Sequence, residues 1–284
     1  MKNVGAHVSV AGGLQNGIEK AVAIGAHVIQ IFGSSPRQWA SRFPDQHSID
    51  LYKEALSKSE VNSVFLHAPY LVNLGTSNDI HWNKSIKNLI DHLQIAKLIN
   101  ANGLIFHVGS ISDPSLESSR KFALERAALG IKEVLKQVRG KTQLIMENSA
   151  GGPGKIGSSI DDLAVLFKKV KSSRVKICLD TAHVLEAGLI ESYSPQHIKK
   201  LFDEFDKKIG LEHLSVLHIN DSKSPYNSHH DLHENIGKGY IGIEGFKNLA
   251  SEKRVRNKPW ILEVPGFKNE GPDKKNIELL NSCF

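Results

Sequence analysis

The stretch VLHINDSKSPYNSHHDLHENIGKG, Val216 to Gly239, starts as a short apolar run and ends in a polar loop closed by glycines. An apolar run bounded in this way reads as a buried strand, with the polar residues forming the loop at its carboxyl end. Within one loop's reach lie His218, Asp221, Asp231 and His233. Imidazole nitrogen together with carboxylate oxygen suits Zn2+ or Mn2+, and a carboxylate two residues from a histidine lets both reach one ion. Alone, the loop also fits solvated histidines and an aspartate that caps a turn. The decision rests on whether other strands end in the same way.

On either side the chain alternates short apolar runs with longer segments of helical period. Strands are expected at residues 3–9, 27–32, 61–69, 103–109, 142–148, 175–183, 214–220 and 259–264. Helices are expected at residues 14–24, about 48–59, about 79–99, 117–138, from Ser159 onward, 195 to about 209, 243 to about 253, and 272–280. Ser159 with Asp162 three residues on reads as a helix cap, and Ser194 before Pro195 as a cap with proline at the first helical position. Eight strand and helix pairs with no linker or low-complexity tract read as one α/β domain over residues 1–284, a single (β/α)8 TIM barrel rather than an open doubly wound sheet. GGPGK at residues 151–155 lacks the spacing of a phosphate-binding P-loop and reads as a flexible loop.

The 284 residues, 40% of them hydrophobic, suffice for one large barrel. Cys178 lies in an apolar strand far from Cys283, so no disulfide framework is expected and the compartment reads as reducing. The start lacks a charged and then apolar leader, and no run of about 18 apolar residues occurs. These features point to a soluble protein without a membrane role, cytoplasmic and near the nucleoid or nuclear according to the cell. A net charge of +6 and a pI of about 9.1 favour an anionic partner such as nucleic acid. The basic runs KKVKSSRVK and SEKRVRNK also fit helix ends, where cations are favoured in any case.

The strand ends carry the chemistry. His67, His107, Glu147, Asp180, His218 and Glu263 each close a strand, from the third to the eighth in turn, and in a barrel those ends converge on one face. Singly, a histidine there more often bonds a neighbouring carbonyl, and a glutamate can point to water. Six in succession would leave buried charge uncompensated unless ions sit among them. Glu147, near the middle strand, is placed to bridge two ions, and Glu147, Asp180 and Glu263 are the expected catalytic carboxylates. His183, Asp231 and His233 could form a separate site of two nitrogens and a carboxylate. Such ions activate water near neutral pH and neutralise charge on a phosphate, which is the chemistry of phosphodiester hydrolysis. Cys178, two residues before Asp180, should face the interior as a core residue one layer below. His7 could support the site but has no assignable partner, and His229 and His230 read as solvated.

The motifs GAHVSVAGG from Gly5, RQW at Arg37, HAPYLVNLG at His67, FHVGS around His107, MENSAG around Glu147, CLDTAH around Asp180, HINDSK at His218, DLHENIGKG at Asp231 and ILEVP around Glu263 occur in this order. By them the chain resembles the endonuclease IV family of apurinic/apyrimidinic endonucleases over essentially its whole length. The resemblance implies a barrel with three zinc ions that cuts the DNA backbone on the 5′ side of an abasic site and removes blocking groups from 3′ ends. It implies that His67, His107 and Glu147 hold one zinc, that Glu147, Asp180, His218 and Glu263 hold a second, and that His183, Asp231 and His233 hold the third, with Mn2+ an option at one of them. Leu232 stands where many relatives have arginine, which puts a phosphate contact from that position in doubt.

The expected partner is double-stranded DNA containing an abasic site or a blocked 3′ end, engaged by a monomer. Arg37, Tyr70 and Leu71 follow strands two and three and are the expected DNA-contacting residues; Trp39 reads as loop packing. Two other readings compete: a sugar isomerase-like barrel, which has no need of the third cluster, and a noncatalytic, metal-stabilised DNA-binding protein, which needs no open metal position.

Overall fold

A computed structural model describes residues 3–111 and 117–284. Eight parallel strands close into a barrel in chain order. They are β1 (Val4–His7), β2 (Val28–Phe32), β3 (Ser63–His67), β4 (Gly103–His107), β5 (Gln143–Glu147), β6 (Val175–Asp180), β7 (Leu214–His218) and β8 (Trp260–Leu262). Val4 of β1 pairs with Trp260 of β8, so the sheet is left without an edge. The helices outside it are α1 (Leu14–Ile24), α2 (Gln46–Ser57), α3 (Asp79–Leu98), α4 (Glu117–Gln137), α5 (Ile160–Val170), α6 (Thr181–Glu186), α7 (Pro195–Lys208), α8 (Gly242–Ser251) and α9 (Lys274–Asn281). This is the (β/α)8 barrel that the hydrophobic pattern predicts. Among the described residues no helix is long and apolar enough to cross a membrane.

The local signals act as expected. The Ser159 hydroxyl accepts from the Asp162 N–H at 3.1 Å and opens α5, and Ser194 caps α7 with Pro195 behind it. Three places differ from the sequence reading. Residues 181–183, expected in the sixth strand and its loop, are the first turn of α6, because Asp180 caps it by accepting from the His183 N–H at 3.0 Å. Lys155, expected in a flexible loop, lies in a two-residue antiparallel ribbon, Lys155–Ile156 against Gly109–Ser110. A second ribbon pairs Asp221–Ser222 with His233–Glu234. It returns Asp231 and His233 to the barrel mouth.

Inside the barrel the side chains follow the strand period of two. Val28, Phe65, Ile105, Ile145, Cys178, Val216 and Ile261 form one buried apolar cluster. Two residues further along stand Gln30, His67, His107, Glu147, Asp180, His218 and Glu263. A polar ring thus sits one layer above an apolar floor, and Cys178 belongs to the floor, as its position predicts.

The packing leaves no room at β1, where Gly5 faces β2: a methyl group there would collide with the Val28 carbonyl. Gly5→Ala should therefore force β1 and β2 apart and lower stability by about 1–3 kcal/mol or more, the cost of overpacking a tight core. Chemical denaturation tests this, and an unchanged midpoint would contradict the closeness of the two strands.

Candidate metal centre

Glu147 occupies the middle of the polar ring, almost fully buried. Its Oε2 lies 3.0 Å from His67 Nε2 and 3.6 Å from His107 Nε2. Its Oε1 lies 2.8 Å from His218 Nδ1 and 3.6 Å from His183 Nδ1. The two oxygens therefore face different histidines. Ligand atoms of His67, His107 and Glu147 lie within 4.8 Å of one another, and so do those of Glu147, Asp180, His218 and Glu263. In this second group His218 Nδ1 is 3.3 Å from Glu263 and 3.9 Å from Asp180.

The remaining contacts of these rings fix which nitrogen points inward. A backbone carbonyl only accepts, so Nδ1–H of His67 donates to Ala68 O (2.7 Å) and Nδ1–H of His183 to Asn148 O (2.9 Å). Their Nε2 lone pairs are thereby turned to the site. Gln30 does the same for His218. Its amide nitrogen faces the Glu263 carboxylate and His7 Nδ1, so its oxygen is left to accept from His218 Nε2–H at 2.8 Å. Asn148 accepts from the Asp180 N–H at 2.7 Å. Asn220 donates to Asp180 Oδ2 at 2.6 Å and accepts from the Glu263 N–H at 2.7 Å. Gln30, Asn148 and Asn220 are fully buried and were not singled out by the sequence reading. The signal for Gln30 was present, a polar residue in phase with the ring within an otherwise apolar strand.

The third expected set converges on one atom: His183 Nε2 is 3.2 Å and His233 Nε2 3.4 Å from Asp231 Oδ1. It does not stand apart from the other six as the sequence suggested. Asp180 Oδ2 is 3.7 Å from His233 Nε2, so the groups share a border. Asp221, also near in sequence, is used elsewhere. Its carboxylate accepts from the backbone N–H groups of Ser222, Gly239 and Ile241 and orders the turn before α8. His229 and His230 are not among the ligand groups; His230 is exposed.

Burial alone would pull His183 and His218 below the usual histidine range, but the carboxylates of Asp180, Asp231 and Glu147 around His183, and Cys178 with Glu263 and Glu147 around His218, prevail and both stand well above 6.5; His67 is raised more modestly, chiefly by Glu147. Conversely burial would raise Glu147 and Glu263, yet the surrounding histidines hold both well below 4.5. His7 and His107 are lowered by burial. In the protein without cations, the raised histidines stabilise the fold fully below about pH 6.5, an effect lost as pH rises through their folded values. The depressed glutamates stabilise it above about pH 4.5, and that is lost as pH falls. Burial pushes the Cys178 thiol up to about 12, so it is no ready thiolate donor although it lies near Glu147 and His218.

The donor atoms fit divalent cations. Metal–ligand distances of about 2.0–2.2 Å at tetrahedral angles put neighbouring donors about 3.3 Å apart, and the contacts among these residues run from 2.8 to 3.9 Å. Nε2 of His183 and Nε2 of His233 are buried without a hydrogen-bond partner, each facing Asp231 Oδ1. Lone pairs turned toward carboxylates repel unless a proton or a cation lies between them.

The cluster opens into a cavity of about 970 Å³ lined by His7, His67, His107, His183, Asp231, His233 and Glu263. Tyr70, 68% exposed, stands at its rim with its ring edge on Phe32. Arg37 is exposed and close enough to Tyr70 for its charge to be felt there. Leu71 is half-buried, its carbonyl accepting from His81 Nε2–H at 2.9 Å, and Trp39 packs edge-on against the same His81. The structure thus brings Tyr70 to the mouth with Arg37 near it, while neither Arg37 nor Leu71 is among the residues lining the cavity.

The family described as Xylose isomerase-like TIM barrel matches residues 18–283. A Probable endonuclease 4 from Halothermothrix orenii is 35% identical over 278 residues, covering 98% of each chain. The crystal structure of endonuclease IV from Thermus thermophilus superposes with a TM-score of 0.85 at 31% identity, over 99% of this chain and 98% of that one. A D-tagatose 3-epimerase-like protein shares the fold at 19% identity, with a TM-score of 0.74 over 98% of this chain and 96% of that one. With relatives this similar along both full lengths, and with the ordered strand-end residues above, the chain belongs to the endonuclease IV family of apurinic/apyrimidinic endonucleases.

Proposed function

We propose that this protein is a zinc-dependent DNA repair endonuclease that hydrolyses the phosphodiester 5′ to an abasic site, leaving a 3′ hydroxyl, and that cleans blocked 3′ ends with the same machinery. The observation that carries the reading is the Glu147 carboxylate, whose two oxygens face separate histidine sets beneath an open cavity. His67, His107 and Glu147 would hold one ion. Glu147, Asp180, His218 and Glu263 would hold a second, and His183, Asp231 and His233 a third, with Mn2+ an alternative at one of them. Such cations, when bound, polarise a phosphate oxygen and acidify water at neutral pH.

The chain's own residues do the rest. Glu147, Asp180 and Glu263 concentrate negative charge where cations and the reacting phosphate meet, while Gln30 orients His218 and the Glu263 carboxylate, Asn220 the Asp180 carboxylate, and Asn148 the Asp180 backbone. The apolar floor keeps water from reaching the site from below, which strengthens each charge interaction there. At the rim, Arg37 offers a cation to a DNA phosphate and Tyr70 a ring to a disrupted base stack. An abasic site has no base to read, so selection falls on how cheaply the duplex kinks. A sugar isomerase-like barrel would not require the convergence of His183 and His233 on Asp231, and this favours the nuclease. The protein is expected to act as a monomer in the cytoplasm or wherever the cell keeps its DNA.

Glu147→Gln keeps the shape but removes the charge that two ligand sets share. Incision of an abasic duplex should fall by on the order of 10³, about 4 kcal/mol of transition-state stabilisation, with circular dichroism unchanged. Full activity in that variant would exclude the bridging role. Replacing Arg37, Tyr70 and Leu71 together with alanine should weaken incision of the abasic duplex by tenfold or more, since a base-stacking contact is worth about 1–3 kcal/mol. Hydrolysis of a small phosphodiester should change little, and equal losses on both substrates would mean that these side chains support the metal site instead.

A further inference from the structure

Glu186 has no role in the ligand sets above. It ends α6 three residues after His183, which places both on one face of that helix, and it is fully buried. Its Oε1 accepts from the Ser222 hydroxyl at 2.6 Å and from the Leu232 N–H at 3.3 Å. Leu232 adjoins Asp231, and Ser222 is the ribbon partner of His233, so this one oxygen ties down both sides of the loop that carries two ligands. The other oxygen, Oε2, is buried with no hydrogen-bond partner. Bare carboxylate oxygens in the interior are costly and call for a partner. His183 Nε2, equally buried and without a hydrogen bond, belongs to the same cluster. Ligand atoms of His183, Glu186 and Asp231 lie within 4.8 Å of one another.

We infer that Glu186 is a further protein donor to the third cation, offering Oε2 beside His183 and Asp231 while Oε1 anchors the ribbon. The inference rests on the third-cluster reading given under the proposed function. It adds Glu186 to the donors His183 and Asp231, the two expected ligands that it lies beside.

Glu186→Gln separates the two roles. The glutamine oxygen still accepts from Ser222 and Leu232, while the amide nitrogen that replaces Oε2 cannot ligate. Metal release from the purified holoprotein is followed by competition with a chromogenic zinc chelator, alongside thermal denaturation. Metal-stripped Glu186→Gln should melt like the metal-stripped parent, while the holo variant should lose one ion per chain with affinity weakened at least about tenfold, and it should be the same ion that His183→Ala loses. Ser222→Ala, which removes an anchor but leaves the carboxylate, should retain every ion. Parental affinity in Glu186→Gln, with an ion lost in His183→Ala, would overturn the inference and leave the third cluster standing. Loss of the ion in Ser222→Ala would also overturn it, by showing that Glu186 acts only through the loop. If His183→Ala loses nothing, the third-cluster reading itself fails.

Discussion

A carboxylate buried at the centre of a barrel, with imidazoles turned toward both of its oxygens, is the constraint on which the rest of this structure depends. Moving such a charge out of water costs several kcal/mol unless positive charge meets it. Here the neighbouring rings are fixed by backbone carbonyls and by Gln30, so that His67 and His218 present lone pairs to Glu147. Protons can relieve that repulsion in the metal-free chain, which is why His183 and His218 stand so far above the ordinary histidine range. Cations relieve it better, because one ion serves several donors at once. The floor of Val28, Phe65, Ile105, Ile145, Cys178, Val216 and Ile261 then acts as a rigid seat beneath the charge.

Much of this was legible in the sequence because a barrel strand writes its layers in steps of two. His67, His107, Glu147, Asp180 and His218 each end a strand, and Cys178 two residues before Asp180 had to be floor. The helix caps at Ser159 and Ser194 were equally plain. What escaped reading depends on contacts between distant segments. Gln30 looks like an isolated polar residue until β2 is laid beside β1 and Glu263. His7 had no partner in the sequence for the same reason, and finds one in the Gln30 amide. The two-residue ribbons carry no periodic signal, so neither the return of His233 nor the sharing of Asp180 between two groups was foreseeable. The capping by Asp180 that turns a strand end into α6 hid Glu186 as well, since only a helix puts it on the face of His183.

The fold by itself does not choose a chemistry. An epimerase-like protein at 19% identity shares the barrel, and barrels of this kind support many reactions by varying the loops at one face. In this chain the loop between β7 and α8 is folded back by its ribbon, so that Asp231 and His233 meet His183 above the ring. The rim residues Arg37 and Tyr70 come from the loops after β2 and β3, and both loops rest on His81 of α3 through Trp39 and the Leu71 carbonyl. Phe32 joins rim to site, since its ring packs against both Tyr70 and His67.

The central claim, that the strand-end histidines and carboxylates form cation sites, is tested most directly by titrating the metal-stripped protein with zinc at pH 7 in buffers of differing ionisation enthalpy. Uptake should saturate at about three ions per chain and release protons, because the raised histidines hold protons that the ions must displace. Absence of stoichiometric uptake, or uptake without proton release, would contradict the account.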